Sequence, residues 1–347
     1  MKFDIFYQLP RSDSQDSATR YRELIAEAVA ADKLGFDTIW LAEVHFAPRF
    51  SLLPTPLLLL SAIAARTERL RLGLAVNLVP LHHPMRLAEE MATLDVLSGG
   101  RAVFGAGRGA FPLNYRGFGV AMEESRALFE EGIEFVRRAW TEDRLKFQGR
   151  HFSADGIEVV PKPLQRPLPI RIAANSPDTF TFAGAHGYPI FAGGPVNPFP
   201  VLADRLAIYE RALAASKLPR PDDWFAGLLM TYVGRDRAAV RPMIEPSLRH
   251  YFNSVAEILE PETLSPGVQA EFQRVKDRLL TMQYETVDSI MAAYGDAGYC
   301  AERIAELRER FGFTRLVCWF ETGGLSGHDN VLDSMRQFAE RVMPRFH

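Results

Sequence analysis

The chain has 347 residues, 47% of them hydrophobic and 24% charged, and 43 acidic against 40 basic side chains leave a formal net charge of −3. This is globular composition with ample material for a core, and the near-balance of charge excludes an electrostatic case for nucleic acid or an anionic membrane surface as partner. Cys300 and Cys318, the two cysteines, offer neither a disulfide framework nor a metal-binding spacing and read as reduced thiols. The N-terminal run MKFDIFYQLP starts directly as a strand, and the most apolar stretch, 52–65, is interrupted by Pro54 and Pro56 and is too short to span a bilayer. A soluble, cytoplasmic protein with no membrane partner is expected.

In chain order, residues 2–9 predict a strand and 19–34 a helix stopped by Gly35, with Leu24, Ala28, Ala31 and Leu34 near helical spacing. Strand 38–44, helix 54–65, strand 70–79 and the amphipathic helix 84–97 follow. A turn at Ser98-Gly99-Gly100 leads to a fourth strand from Ala102 and a helix over 123–140. Residues 145–165 read as an irregular or hairpin insertion. The alternation then resumes with strand 169–174, helix 176–186, strand 190–192, helix 200–214, strand 224–233, helix 302–311, strand 315–320 and helix 331–342. Eight strands alternating with helices, without repeat or linker, predict the α/β class and a single domain over 1–347: a closed (β/α)8 TIM barrel with insertions after strands 4 and 7. The second insertion, about 236–297, carries helical runs at 257–259 and 269–280 broken by Pro261, Pro266 and Gly267. Because it follows a strand's C-terminal end, it is expected to act as a lid.

Two stretches have the chemistry of an anion cradle. Gly105-Ala106-Gly107-Arg108-Gly109 sets one arginine among small residues at the end of the fourth strand, and Arg126 opens the next helical run. The fifth strand ends at Asn175-Ser176-Pro177-Asp178-Thr179, where Ser176 is a good N-cap before a proline at the first helical position. Free N–H groups there, with the hydroxyls of Ser176 and Thr179, would bind an anion, although Asp178 already answers the helix dipole. If these two strands are neighbours, Arg108 and Arg126 converge on the same point, which favours a phosphate. The glycine spacing is not a dinucleotide fingerprint, and no Gly-Lys-Ser/Thr follows it. His82-His83 has no carboxylate at ligand spacing, so no metal site is expected.

These residues lie within a longer series of motifs: Gly35-Phe36-Asp37-Thr38-Ile39-Trp40-Leu41-Ala42-Glu43; His83-Pro84 with Arg86, Ala88 and Glu89; Leu97-Ser98-Gly99-Gly100-Arg101; Gly107-Arg108-Gly109; Ser125-Arg126-Ala127-Leu128; and the segment 334–344. In order and spacing the series resembles the bacterial luciferase-like family of flavin-dependent monooxygenases over nearly the whole chain. The resemblance implies reduced FMN at the C-terminal ends of the strands, with Arg108, Arg126, Ser176 and Thr179 on its phosphate and the Asn175 backbone nearby. It places Asn77, Ala110 and Ala173 around the cofactor, and a non-prolyl cis peptide at Ala75-Val76 beneath the flavin ring. It further implies FMNH2 supplied by a separate NAD(P)H:flavin reductase, which reacts with O2 to a C4a-hydroperoxide that oxygenates a small organic molecule. Such chemistry needs a dry cavity with few polar groups, and Phe6, Gln8, Glu43, His45, Asn77, Gly107 and Phe111 stand at strand ends to line one. The helix 57–65 is apolar nearly all round, so a homodimer burying it with helix 84–97 is expected, unless the loop 46–53 folds over it.

Two departures stand out. The family commonly reads Glu-His-His-Phe where this chain has Glu43-Val44-His45-Phe46, and Gly107 stands where luciferases can carry a cysteine. Glu43 and His45 are the catalytic candidates, sharing one face of an extended strand while Val44 takes the other. His45 is either satisfied by Glu43 or loop backbone, or used for proton transfer. Two other readings stay open: an F420-dependent oxidoreductase of the same superfamily, and a flavin-binding or partner subunit without chemistry.

Overall fold

The computed structural model describes residues 1–259 and 266–346. Its frame is eight parallel strands: β1 (Lys2–Tyr7), β2 (Thr38–Leu41), β3 (Arg71–Leu74), β4 (Ala102–Gly107), β5 (Ile170–Ala173), β6 (Ile190–Gly193), β7 (Phe225–Val233) and β8 (Arg315–Trp319). Each pairs with its successor, and β8 pairs with β1, so the sheet closes on itself as expected. Covered outside by helices and filled inside by side chains, β2, β4 and β8 are buried along their whole length. The first helix, Ser17–Leu34, shows the local logic of the covering layer. The Asp16 carboxylate accepts from the Thr19 N–H at 2.9 Å, and Gly35 ends the helix at φ 88°, where only glycine is unstrained.

The bottom of the barrel holds a buried ionic plug. Arg315 of β8 reaches Asp4 at 2.5 Å, Asp37 at 2.6 Å and Asp223 at 2.8 Å, while Arg171 of β5 pairs with Asp223 at 3.1 Å. Trp40 Nε1 donates to Asp4 at 2.8 Å, and the Trp40 ring lies so close to Gly73 that a Cβ there would come within 2.2 Å of it. Burial pushes the Asp4 carboxyl up to about 6 against the pull of Arg315. Burial also acts on Asp223, but Arg171 and Arg315 outweigh it and hold that carboxyl down to about 2.

Several boundaries differ from the sequence expectation. β2 stops at Leu41, so Glu43, Val44 and His45 lie in the loop beyond it. The third strand ends at Leu74; Asn77–Leu78 then pairs separately with β4. The first insertion contains an antiparallel hairpin, Leu145–Gln148 with Ser153–Ile157. In the second, the run expected at 257–259 is the end of a 22-residue helix, Arg237–Ile258, which continues through Pro242 and Pro246. Proline forfeits a helix hydrogen bond, but the buried stripe Val240, Ile244, Leu248, Tyr251, Phe252 and Val255 anchors this helix by packing. Pro266 and Gly267 open the helix Pro266–Leu280, and proline suits that position; Pro261 lies outside the described residues. The helix Tyr284–Met291 and a further strand, Ala292–Gly295, follow, the strand pairing with Met230 to Val233 of β7. Among the described residues no helix is long and apolar enough to cross a membrane, and both cysteines are free and buried.

Candidate active site

The C-terminal ends of the strands open on a cavity of about 210 Å³. Phe6, Phe191 and Trp319 wall it from the barrel strands, Phe111 comes from the loop after β4, Phe50 from the loop after β2, and Tyr251 from the helix Arg237–Ile258. The insertion after β7 thus contributes directly to the mouth. Ala75, Val76, Ala110, Ala173 and Asn175, all anticipated around a cofactor, line the same space. The Ala75–Val76 peptide is cis. Gly107 is explained by its neighbour: a Cβ there would meet Val76 Cγ2 at 2.5 Å, so any larger residue needs Val76 to move. Asn77 points elsewhere. Its Nδ2 donates to the Gly105 carbonyl at 2.8 Å, its Oδ1 is buried without a partner, and it lines an outer cleft rather than the mouth.

β4 and β5 are neighbours, with Gly105 opposite Arg171 and Ala106 opposite Ile172, so their ends meet. Arg108 Nη2 donates to Ser176 Oγ at 3.0 Å, and the Ser176 and Thr179 hydroxyls are hydrogen-bonded at 3.0 Å. Tyr115 OH bonds the Arg108 carbonyl and steadies its loop. Ser176 has the extended backbone of an N-cap, but no side chain caps the first turn of helix Pro177–Ala185. Pro177 has no N–H and the Thr179 N–H already donates to the Ser176 carbonyl at 2.9 Å, so the guanidinium and the two hydroxyls, with the Asp178 N–H of the first turn, form the donor set suited to a phosphate monoester. Arg126 arrives by a different route. It is exposed and paired with Glu130 at 2.9 Å and Asp178 at 3.1 Å, above the first turn but not on the hydroxyls.

Glu43 stands between two cavities, the mouth and an outer cleft of about 420 Å³ between helices Pro56–Ala64 and Pro84–Leu97. Its Oε1 accepts from His45 Nε2 at 2.9 Å and His82 Nε2 at 2.5 Å, and its Oε2 from the Leu78 N–H at 2.9 Å. Burial alone would raise the carboxyl, but the hydrogen bonds from His45, His82 and Leu78 and the charge of His82 hold it below its ordinary value. Burial likewise opposes charge on His82, yet Glu43 raises that imidazole above its ordinary value. In sequence His82 reads only as a rejected metal ligand, with nothing adjacent to mark it as a partner of Glu43. Its position just after the third strand, beside the end of the second, was the available signal. Val44 lines the mouth and His45 does not; His45 is buried edge-on to Phe118, at 4.7 Å and 81°, and reaches the cavity through Glu43. Among the described residues no group of three or more histidine, cysteine or acidic side chains is arranged to hold a metal.

Residues 1–315 match the family model described as luciferase-like monooxygenase. The chain belongs to this family. Luciferase-like relatives include the alkanal monooxygenase alpha chain of Photorhabdus luminescens, 27% identical over 99% of this chain and 96% of the relative. The oxygenase component of a flavin-dependent trigonelline monooxygenase from Acinetobacter baylyi is 33% identical over 54% of this chain and 52% of its own. Among solved structures, the monooxygenase RslO1 from Streptomyces bottropensis superposes with a TM-score of 0.85 at 26% identity, covering all of both chains.

Proposed function

We propose that this luciferase-like protein is the oxygenase component of a two-component monooxygenase, using FMNH2 from a separate NAD(P)H:flavin reductase and O2 to oxygenate a small organic molecule. The observation that carries the reading is the Arg108–Ser176–Thr179 donor set, beside a cavity lined by Ala75, Val76, Ala110 and Ala173. Arg108, Ser176 and Thr179 would hold the flavin phosphate, with Arg126 as an outer partner and Asn175 nearby. The small side chains leave room for a flat ring. When bound, reduced flavin supplies the electrons that activate O2. The aromatic wall keeps water from the reacting face. Glu43 and His82 hold a proton between Oε1 and Nε2 at the cavity's edge, where it is available for transfer, and His45 orients Glu43 from behind.

A homodimer completes the proposal. The loop residue Phe50 turns into the mouth, so this loop residue does not cover helix Pro56–Ala64, on which Leu58 is 72% exposed; Leu97 of helix Pro84–Leu97 is 66% exposed. A second copy laid over these two helices would cover both. Light scattering should give twice the chain mass at micromolar concentration, and a monomer would end this part. Oxygen consumption that depends on FMNH2 and is coupled to product tests the main reading. Affinity for F420 without affinity for FMN would replace it with hydride transfer, and flavin binding without turnover would leave a binding subunit.

A further inference from the structure

The barrel's closure divides the mouth into two halves. Arg108 follows β4 and Ser176 follows β5; across the ring of eight from these strands lie β8 and β1. Resting on the flavin reading above, which assigns the β4–β5 side to the cofactor, the β8–β1 side is left for the molecule to be oxygenated. We propose that this half takes a flat, uncharged ring compound, and that the Gln8 amide oxygen accepts from a hydroxyl on it.

Shape comes from the wall. Phe6 meets Trp319 at 5.1 Å and 86°, Trp319 meets Tyr251 at 5.1 Å and 88°, Tyr251 meets Phe50 at 5.8 Å, and Phe50 meets Phe111 at 5.4 Å. All five line the cavity, an unbroken aromatic surface against which a planar ring packs by edge and face. Charge comes from what lines it. Glu43 is the one ionisable acid or base of ordinary range among the lining residues described, and its oxygens are already occupied by His45, His82 and Leu78. No lysine or arginine among the lining residues stands ready to neutralise a carboxylate or sulfonate in this low-dielectric space.

Gln8 supplies the specific contact. It follows β1 two residues after Phe6, on the same inward face. Its backbone is held, since its carbonyl accepts from Ser51 Oγ at 2.5 Å, but its side-chain Oε1 is buried without a hydrogen-bond partner. A cavity-lining amide left unpaired in this way is completed by a ligand that offers a matching polar atom. Asn114, by contrast, is engaged by the His45 N–H, and Asn175 stands on the cofactor side. The Tyr251 hydroxyl is the rival reader on this half, and the test separates the two.

Equilibrium dialysis of the full chain against 2-naphthol, its methyl isostere 2-methylnaphthalene and the anion 2-naphthoate, with and without FMN, decides the matter. The parent should bind 2-naphthol about tenfold more tightly than either comparator, the size of one neutral hydrogen bond. Gln8→Leu should bring 2-naphthol and 2-methylnaphthalene to within about twofold and leave the thermal midpoint unchanged, because the amide holds nothing in the free protein. Tyr251→Phe should keep the preference. Retention of the preference in Gln8→Leu, its loss only in Tyr251→Phe, tight 2-naphthoate binding, or no binding of either neutral probe would overturn the proposal. FMN affinity is measured separately. Absent FMN binding with a Gln8-dependent preference overturns the flavin reading alone, whereas normal FMN binding without that preference overturns this one alone.

Discussion

Arg108→Ala is the sharpest test of the cofactor site. Arg108 is half-buried and fixed on Ser176 at 3.0 Å, its loop steadied by Tyr115, so it meets a phosphate without first having to be ordered. A charge-assisted hydrogen bond of this kind contributes ~1.5–3 kcal/mol, which corresponds to FMN binding about 10- to 150-fold weaker in the variant. Riboflavin carries the same ring without the phosphate and should lose less than about twofold, since no charge-assisted bond is removed. Arg126→Ala should cost FMN only about two- to threefold. That side chain is 53% exposed and already shared between Glu130 and Asp178, where screening leaves ~0.5 kcal/mol to an ion pair. Fluorescence titration of both flavins against parent and variants gives the four ratios. Equal losses of FMN and riboflavin on Arg108→Ala would place the phosphate elsewhere and refute the argument from the donor set.

The Glu43–His82 pair should impose a pH window on stability. The folded value of Glu43 lies below its ordinary 4.5, so its contribution is present above 4.5 and disappears as pH falls through the folded value. That of His82 lies above its ordinary 6.5, so its contribution is complete below 6.5 and disappears as pH rises through the folded value. The difference in urea unfolding free energy between parent and His82→Gln should therefore peak between pH 4.5 and 6.5; a difference flat from acid to alkaline pH would show that the pair is not ionised. Gly107→Cys should destabilise by ~1–3 kcal/mol through the clash with Val76, read as a lower thermal midpoint, and an unchanged midpoint would mean that Val76 yields freely. Arg315→Met leaves Asp4, Asp37 and Asp223 without their shared cation and should cost ~3–5 kcal/mol in urea unfolding. A loss below ~1 kcal/mol would class the plug with surface ion pairs.

Much of the frame is written in short-range pattern. Apolar runs of strand length alternating with helical spacing predict eight βα units, and closure follows because that count suits a barrel. Ser176-Pro177 announces its helix start because caps are made by residues adjacent in the chain, whereas the glycine-rich run opens into a loop only after Gly107, its first half being strand. Other features belong to the closed barrel. Periodicity tells which face a residue takes, but the partner it meets there is set by register and by which strand ends converge. Glu43 and His82 are 39 positions apart and come together only because β2 and β3 end side by side. Arg315 finds Asp4 across 311 positions because β8 closes on β1. The prolines of helix Arg237–Ile258 argue locally against a helix, and packing of its buried stripe overrules them. Gln8 reads in sequence as one polar residue at a strand end. Its unpaired amide and the aromatic wall beside it exist only once residues from β1, β8, the loops after β2 and β4 and the insertion after β7 are brought around one cavity.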